Sequence, residues 1–316
     1  MPTGINNAIA QAQGVQLLTR SISLTIGFED NTQDPITGTF NADAQTGRDI
    51  SGFDMEFVVE KSLKSTEPNT LQLQVYNFAT TTRNAICSSP KLTVKLEAGY
   101  AGGVTQLYFA ETRAAWNTRS GPDYITHIES TDTIARPTGV RATKKIQPGS
   151  IVGTLYKTLG PKVPLADAFN AITQQLGIGN GNLQAALANL HGASVSAVNG
   201  AALTGNGAQR MTDLCRSAGL EWSIQDGQLQ LLNIGQALAT TSAILVSDDT
   251  GMIDSPSVDS SGILSCKTLL IPGLLPGVLV TVDSVFLNGT YRVNKCRYSG
   301  TTFGNDWTCA FTGDKY

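Results

Sequence analysis

Charge is what this chain has least of. Asp, Glu, Lys and Arg make up 15% of its 316 residues, against roughly 25% in an ordinary soluble domain. With 22 basic and 25 acidic residues the formal net charge is −3. No basic run stands out that could clamp a phosphate backbone, which argues against stable nucleic-acid binding. Histidine occurs twice, as His127 and His191, far apart in the chain, which argues against zinc catalysis. The five cysteines (Cys87, Cys215, Cys266, Cys296 and Cys309) contain no Cys-x-x-Cys spacing and are odd in number. This argues against a full disulfide framework and favours small buried hydrophobes in a reducing cytoplasm, with a facing pair of Cys296 and Cys309 on neighbouring strands as the other reading. The most apolar run, residues 269–280, is short and broken by Pro272 and Pro276, so it does not span a bilayer. The start of the chain lacks the charged-then-apolar pattern of a secretory signal. A soluble protein made inside a cell is the expectation.

What the chain has instead is a surface vocabulary of Thr, Ser, Asn, Gln and Gly around a 41% hydrophobic content. That balance suits a protein covered by partners in an assembly, and a secreted β-rich protein shares it. The length allows two or three domains, each with its own core. In the run 53–78, Phe53, Met55, Phe57 and Val59 alternate with polar residues, and Leu71, Leu73 and Val75 do so again. Period-2 alternation predicts two half-buried antiparallel strands, joined by a turn at residues 66–69 where Pro68 fixes φ. Alternation recurs at Ile22, Leu24, Ile26 and Phe28, at Leu92, Val94 and Leu96, from Leu107 and Phe109, and over residues 124–128. Strands at this spacing indicate a β-barrel or sandwich. Residues 1–19 are a small, polar arm.

The period changes in the middle of the chain. Leu165, Phe169, Ile172 and Leu176 fall on one helical face, with Pro164 near the first turn and Gly177 past the end. A second stripe runs through Leu183, Ala186, Leu187 and Leu190 to Gly192, and a third through Met211, Leu214, Cys215 and Ala218 to Gly219. A hairpin turning on Asp226 and Gly227 follows. After about Ala243 the chain is β again, with a hairpin expected at Asn288 and Gly289, a loop over 299–306, and a last strand through Trp307, Cys309 and Phe311. The fold class is mainly β with an α+β insertion. The expected divisions are an arm over 1–19, a first β domain over 20–135, an α+β module over 136–242 whose strands contribute to the second barrel, and a second β domain over 243–316.

Catalytic constellations are hard to build from these residues. No Gly-x-Ser-x-Gly elbow exists. His127 falls in a predicted strand and His191 at a helix end, positions that suit structural histidines. Glu56, Glu60 and Glu111, or Asp248, Asp249 and Asp254, are the carboxylates that could run glycoside hydrolysis. Glu56 and Glu60 alternate to a polar strand face, and the aspartates read as a solvated turn. Residues 177–181 are glycine-rich but follow a helix and lack the lysine of a phosphate loop. Catalytic, cofactor and metal sites are therefore expected to be absent.

One further pattern runs through the whole chain. Lys61 to Leu63, Pro68 and Asn69, and residues 76–78 close the first hairpin. They are followed in order by residues 96–103, 108–112, 121–126, 269–280, 288–293 and 304–307. This collinear set resembles the central hub proteins of bacteriophage tail baseplates, a fold shared with the base of type VI secretion spikes. The chain departs from the family at residues 299–302, where a His and an Asp around the glycine would be expected.

The resemblance implies two tail-tube-like β-barrel domains per chain plus the smaller module, and a homotrimer that adapts the sixfold tail tube to the threefold central spike. Its implied partners are the tail tube ring, the spike, and the baseplate wedge and tape-measure proteins. DNA is met only in transit, and the location is the virion tail baseplate, assembled in the host cytoplasm. On the polar face of the first hairpin, Glu56, Gln72 and Gln74 are the candidate channel-facing residues. The alternative from another class is a cell-wall-degrading tail protein, a peptidoglycan hydrolase. A carbohydrate-binding β-protein would need Trp116, Trp222 and Trp307 exposed, whereas Trp222 and Trp307 are expected in the core.

Overall fold

The alternation at 53–59 and 71–75 produces the pairing that it predicts. In the computed structural model, strand Met55–Ser62 pairs antiparallel with Thr70–Tyr76, setting Met55 opposite Val75, Phe57 opposite Leu73 and Val59 opposite Leu71. All six side chains are buried. The structure describes residues 20–28, 48–49, 52–65, 67–89, 92–100, 103–132, 154–158, 161–176, 178–188, 198–199, 202–238 and 242–316. The expected N-terminal arm, His191, Leu190 and Gly192 lie outside them.

The chain divides into two units, one holding residues 1–61, 70–131 and 240–316, the other holding 62–69 and 132–239. The first unit is built from β1 (Arg20–Phe28), β2 (Arg48–Asp49), β3 (Met55–Ser62), β4 (Thr70–Tyr76), β5 (Leu92–Tyr100), β6 (Gly103–Ser120) and β7 (Asp123–Thr131). After the intervening β8 (Thr154–Thr158), β9 (Pro161–Val163), β10 (Val198–Asn199), β11 (Ala202–Asn206), β12 (Leu220–Gln225) and β13 (Gln228–Asn233), it resumes. Its later strands are β14 (Ile244–Ser247), β15 (Ser257–Val258), β16 (Ile263–Leu269), β17 (Leu279–Asp283), β18 (Asn288–Thr301) and β19 (Trp307–Lys315).

Its thirteen strands form one hydrogen-bonded sheet in the order β15-β16-β19-β18-β3-β4-β7-β6-β5-β1-β2, with β17 on β18 and β14 parallel to β17. Early and late β segments therefore join through the β18–β3 neighbours. One face is the core: Leu24, Met55, Leu73, Val94, Leu96 and Ile128 from the early strands, and Val280, Val293, Tyr298, Cys309 and Phe311 from the late ones, are all buried. The expectation of a mainly β fold with an α+β insertion is met.

The second unit has a core of its own, formed by Leu165, Phe169 and Ile172 from helix Leu165–Leu176, Leu183 and Leu187 from helix Leu183–Ala188, Met211 and Cys215 from helix Gly207–Ala218, and Trp222, Leu229 and Leu231 from the β12–β13 hairpin. The third helical stripe starts at Asn206, whose side chain accepts hydrogen bonds from the N–H groups of Ala208 and Gln209, and ends at Gly219 with φ of 70°. These are the two ends that capping chemistry favours. The strands β8 and β11, β9 and β10, and β12 and β13 pair with one another.

Four local expectations are corrected. The β3–β4 connection is not a tight turn at 66–69 but runs from 63 to 69, because Asn69 is drawn into a buried polar cluster. The run 269–280, which the family resemblance makes barrel strand, is in large part turn, its two prolines falling between β16 and β17 where no ladder N–H is needed. Asn288 and Gly289 pair with Asp283 and Val282 inside the ladder, so the turn falls at 284–287. Residues 299–301 continue β18, shortening the expected loop to 302–306. Helix Thr80–Ser88 was not legible: its apolar positions are limited to buried Ile86 and a few small side chains.

Candidate assembly surface

Strand parity that sends Met55, Phe57, Leu71 and Leu73 into the core sends Glu56, Val58, Glu60, Gln72 and Gln74 to the opposite face. The register carries this face across neighbouring strands: Glu56 stands opposite Gln74, Gln74 opposite His127, and His127 opposite Trp116. One step along, Val58 is opposite Gln72, Gln72 opposite Glu129, and Glu129 opposite Ala114. Of the predicted channel-facing residues, Glu56 and Gln72 are exposed and Gln74 is half-buried. The structure brings all three onto one continuous face.

Contacts hold this face in shape. Tyr76 donates its hydroxyl to Glu56 at 3.0 Å, and burial, then the Glu56 hydrogen bond and charge, raise the Tyr76 pKa. Burial also raises the Asp54 pKa, opposed by the Met55 N–H and reinforced by the nearby charges of Glu56 and Asp123. His127 stacks on Trp116 with centroids 5.1 Å apart and meets the Thr118 hydroxyl at 2.7 Å. It is a partnered histidine on the polar face, the setting of a structural one. Asn77 adopts φ of 58° and bonds Asp123 and the Tyr124 backbone, closing the hairpin end. Asn tolerates the left-handed region better than most side chains, which accounts for the asparagine in the 76–78 motif.

Sequence reading missed two long-range clusters. Glu60 on β3 pairs with Arg297 at 2.7 Å and Lys295 at 3.4 Å on β18, tying the early and late strands together on the polar face. At the other face Trp307 is almost fully buried, 5.9 Å from Phe57 and 6.3 Å from Tyr100, with the Arg20 guanidinium 5.5 Å above its ring. Arg20 also donates to the carbonyls of Gly304 and Asn305. Strands β1 and β5 stand far from β19 in sheet order, so these contacts bring distant parts of the sheet back together. Where the family motif would have a His and an Asp, Ser299 meets the Thr308 hydroxyl at 3.1 Å and Thr302 hydrogen-bonds both backbone groups of Met55.

Among the described residues no group of three or more His, Cys, Asp or Glu is arranged to hold a metal ion, and no described helix is long and apolar enough to cross a membrane. Asp248 and Asp249 sit in a short 3-10 turn whose Thr250 hydroxyl accepts from the Ser247 N–H at 2.7 Å. Trp222 and Trp307 are core residues, as expected, while Trp116 is exposed. No disulfide joins any of the five cysteines, Cys296 and Cys309 included.

No protein-family model and no curated protein matches this sequence. Among solved structures, the chain is similar to the 43 kDa tail protein of prophage MuSo2 from Shewanella oneidensis, with a TM-score of 0.59 at 9% identity over 94% of this chain and 98% of that one. It is also similar to a tail protein from Neisseria meningitidis MC58, with a TM-score of 0.57 at 8% identity over 94% and 97% of the two chains. At such identities the likeness is one of fold. The chain has the fold of phage tail proteins, the class its ordered motifs resemble.

Proposed function

We propose that this chain is a structural hub of a phage tail baseplate, a trimeric adaptor between the sixfold tail tube and the threefold central spike. The supporting observation is the single sheet with one apolar and one polar face, carried through early and late strands of a tail-protein fold. In this reading each chain contributes two tube-like barrel lobes, one from each β segment, and the polar face lines part of the DNA channel. Glu56, Gln72 and Gln74 face the lumen. Their chemistry suits transit: a wall of uncharged and acidic side chains offers phosphates no counter-charge to bind, and the salt-bridged Glu60 cluster blunts the basic groups beside it. Cysteines outside any disulfide suit assembly in a reducing host cytoplasm before incorporation into the virion tail, with the tube ring, spike, wedge and tape-measure proteins as partners. The role requires no catalysis.

The test is the mass of the purified protein in solution together with an activity control. Sedimentation equilibrium is expected to return three chains of 33.3 kDa each, and purified peptidoglycan incubated with the protein is expected to keep its turbidity while a lysozyme control clears it. Release of sugars from the wall would favour the hydrolase reading instead.

A further inference from the structure

Among the described residues two highly exposed large apolar side chains are adjacent: Val285 is 83% and Phe286 80% exposed, at the turn between β17 and β18, and Phe303, elsewhere, is as exposed as Phe286. A pair of bare apolar residues on a floppy loop would carry little meaning, but this turn is braced. The Ser284 N–H donates to the Leu287 carbonyl at 3.1 Å, and the Leu287 N–H donates to the Ser284 hydroxyl oxygen at 3.0 Å. That hydroxyl in turn donates to the Leu287 carbonyl at 2.9 Å. The Asn288 amide reaches back to the Ser284 carbonyl at 3.1 Å and accepts from its N–H. Five hydrogen bonds thus fix a four-residue turn whose two outer side chains touch water. Preorganisation of this kind removes an ordering cost from a later binding event, and an aromatic anchor entering a pocket is the usual centre of an interface.

The surroundings of the turn define its partner. Strands β14 and β17 run parallel and end together at Ser247 and Asp283, so exposed Asp248 and Asp249, which follow Ser247, leave from the same end as exposed Asp283. Two basic groups lie farther back along the ladder: Lys315, set opposite Tyr291 three residues beyond Asn288, and Arg292, which pairs with Asp314. An acidic collar around an apolar tip repels an anionic bilayer and repels an identical tip of a second copy in an isologous contact. It is attracted to a pocket with a basic rim.

We propose that residues 284–287 are a preformed apolar plug that seats in an apolar, basic-rimmed pocket on a different protein of the tail. The proposal rests on the tail-hub reading and adds to it the surface and chemistry of one contact. The test compares wild type with V285S/F286S and with Asp283→Lys, each expressed in cells producing the tail particle, and scores the protein recovered in purified particles.

Wild type is expected in particles, with a cross-link from a benzophenone-bearing residue at position 286 to an apolar segment of another tail protein flanked by Lys or Arg. V285S/F286S, which alters only exposed side chains, is expected to keep its melting temperature and solution mass while its recovery falls at least tenfold. D283K is expected to fall similarly at low salt and to recover at high salt. Undiminished recovery of V285S/F286S, a cross-link to a second copy, a changed solution mass, or flotation of wild type with phosphatidylcholine–phosphatidylglycerol vesicles would each overturn the plug while leaving the hub reading intact. An unaltered D283K would overturn the basic rim. Wild type missing from particles would remove the hub reading and this proposal with it.

Discussion

Trp307 gathers contacts from three strands distant in sequence, through Phe57, Tyr100 and Arg20, and its neighbours show how closely it is packed. A methyl group added at Gly300 would lie 2.7 Å from two atoms of the Phe57 ring and 2.8 Å from Trp307, distances that real side chains do not tolerate. Gly300→Ala is therefore expected to destabilise the sheet unit by about 1–3 kcal/mol through overpacking. Trp307→Ala, which leaves a cavity instead, should cost about 3–5 kcal/mol. Urea midpoints of the two variants check both, and an unchanged midpoint for either would contradict this packing.

Buried titratable groups make a second residue-scale prediction. Burial raises the Cys266 thiol from 9.0 to about 11 and the Cys215 thiol to about 12, and raises Tyr100 from 10.0 to about 12 against the opposing pull of Arg20. Above pH 9 the unfolded chain releases protons that the folded chain keeps, so the unfolded state gains. Stability should hold below about pH 9 and fall as pH rises toward 11–12. A urea midpoint that stays level from pH 8 to 11 would contradict it.

Elements were legible where one side chain in two, or three or four per two turns, declared a face. The strand pair at 53–59 and 71–75, the helical stripe from Leu165 to Ile172 and the Asp226–Gly227 turn all rest on signals within a few residues, and all are found. The clusters at Glu60 and Trp307 join residues more than two hundred positions apart, and no local period encodes such a partnership. Even a correct face leaves a turn ambiguous: Asn288 and Gly289 carry strong turn chemistry, yet the brace made by Ser284 moves the turn three residues earlier.

Asn69 makes the same point in the second unit. It binds the Ser62 N–H, both carboxylate oxygens of Asp132, the Ile224 carbonyl and Gln225, all partners distant in sequence except Ser62. Asn69→Ala removes the amide's bonds to Asp132, the Ile224 carbonyl and Gln225 while the backbone N–H still reaches Asp132, and should cost about 1–3 kcal/mol. Asn206→Ala, losing only an exposed helix cap, should cost about 1 kcal/mol. Hydrogen exchange of helix 207–218 and of the β12–β13 hairpin separates the two, since the cap variant loosens the first turn of the helix alone.

At the scale of the whole molecule, the sheet has one dry and one polar face, and it is the polar one that the proposed role concerns. The proposed channel wall makes a prediction about sign. Adding Lys at Gln72 and Gln74, exposed or half-buried on that face, should leave folding intact but make the assembled ring retain duplex DNA at low salt and release it at high salt, because each phosphate contact contributes to the salt slope. DNA retention that is absent, or present without salt dependence, would argue that these residues do not meet the passing duplex. The most direct measurement is an image of the assembled particle at side-chain resolution. Three copies around an open channel, with Glu56, Gln72 and Gln74 turned into the lumen, is the predicted result; a monomer, or a ring with those residues turned outward, would contradict it.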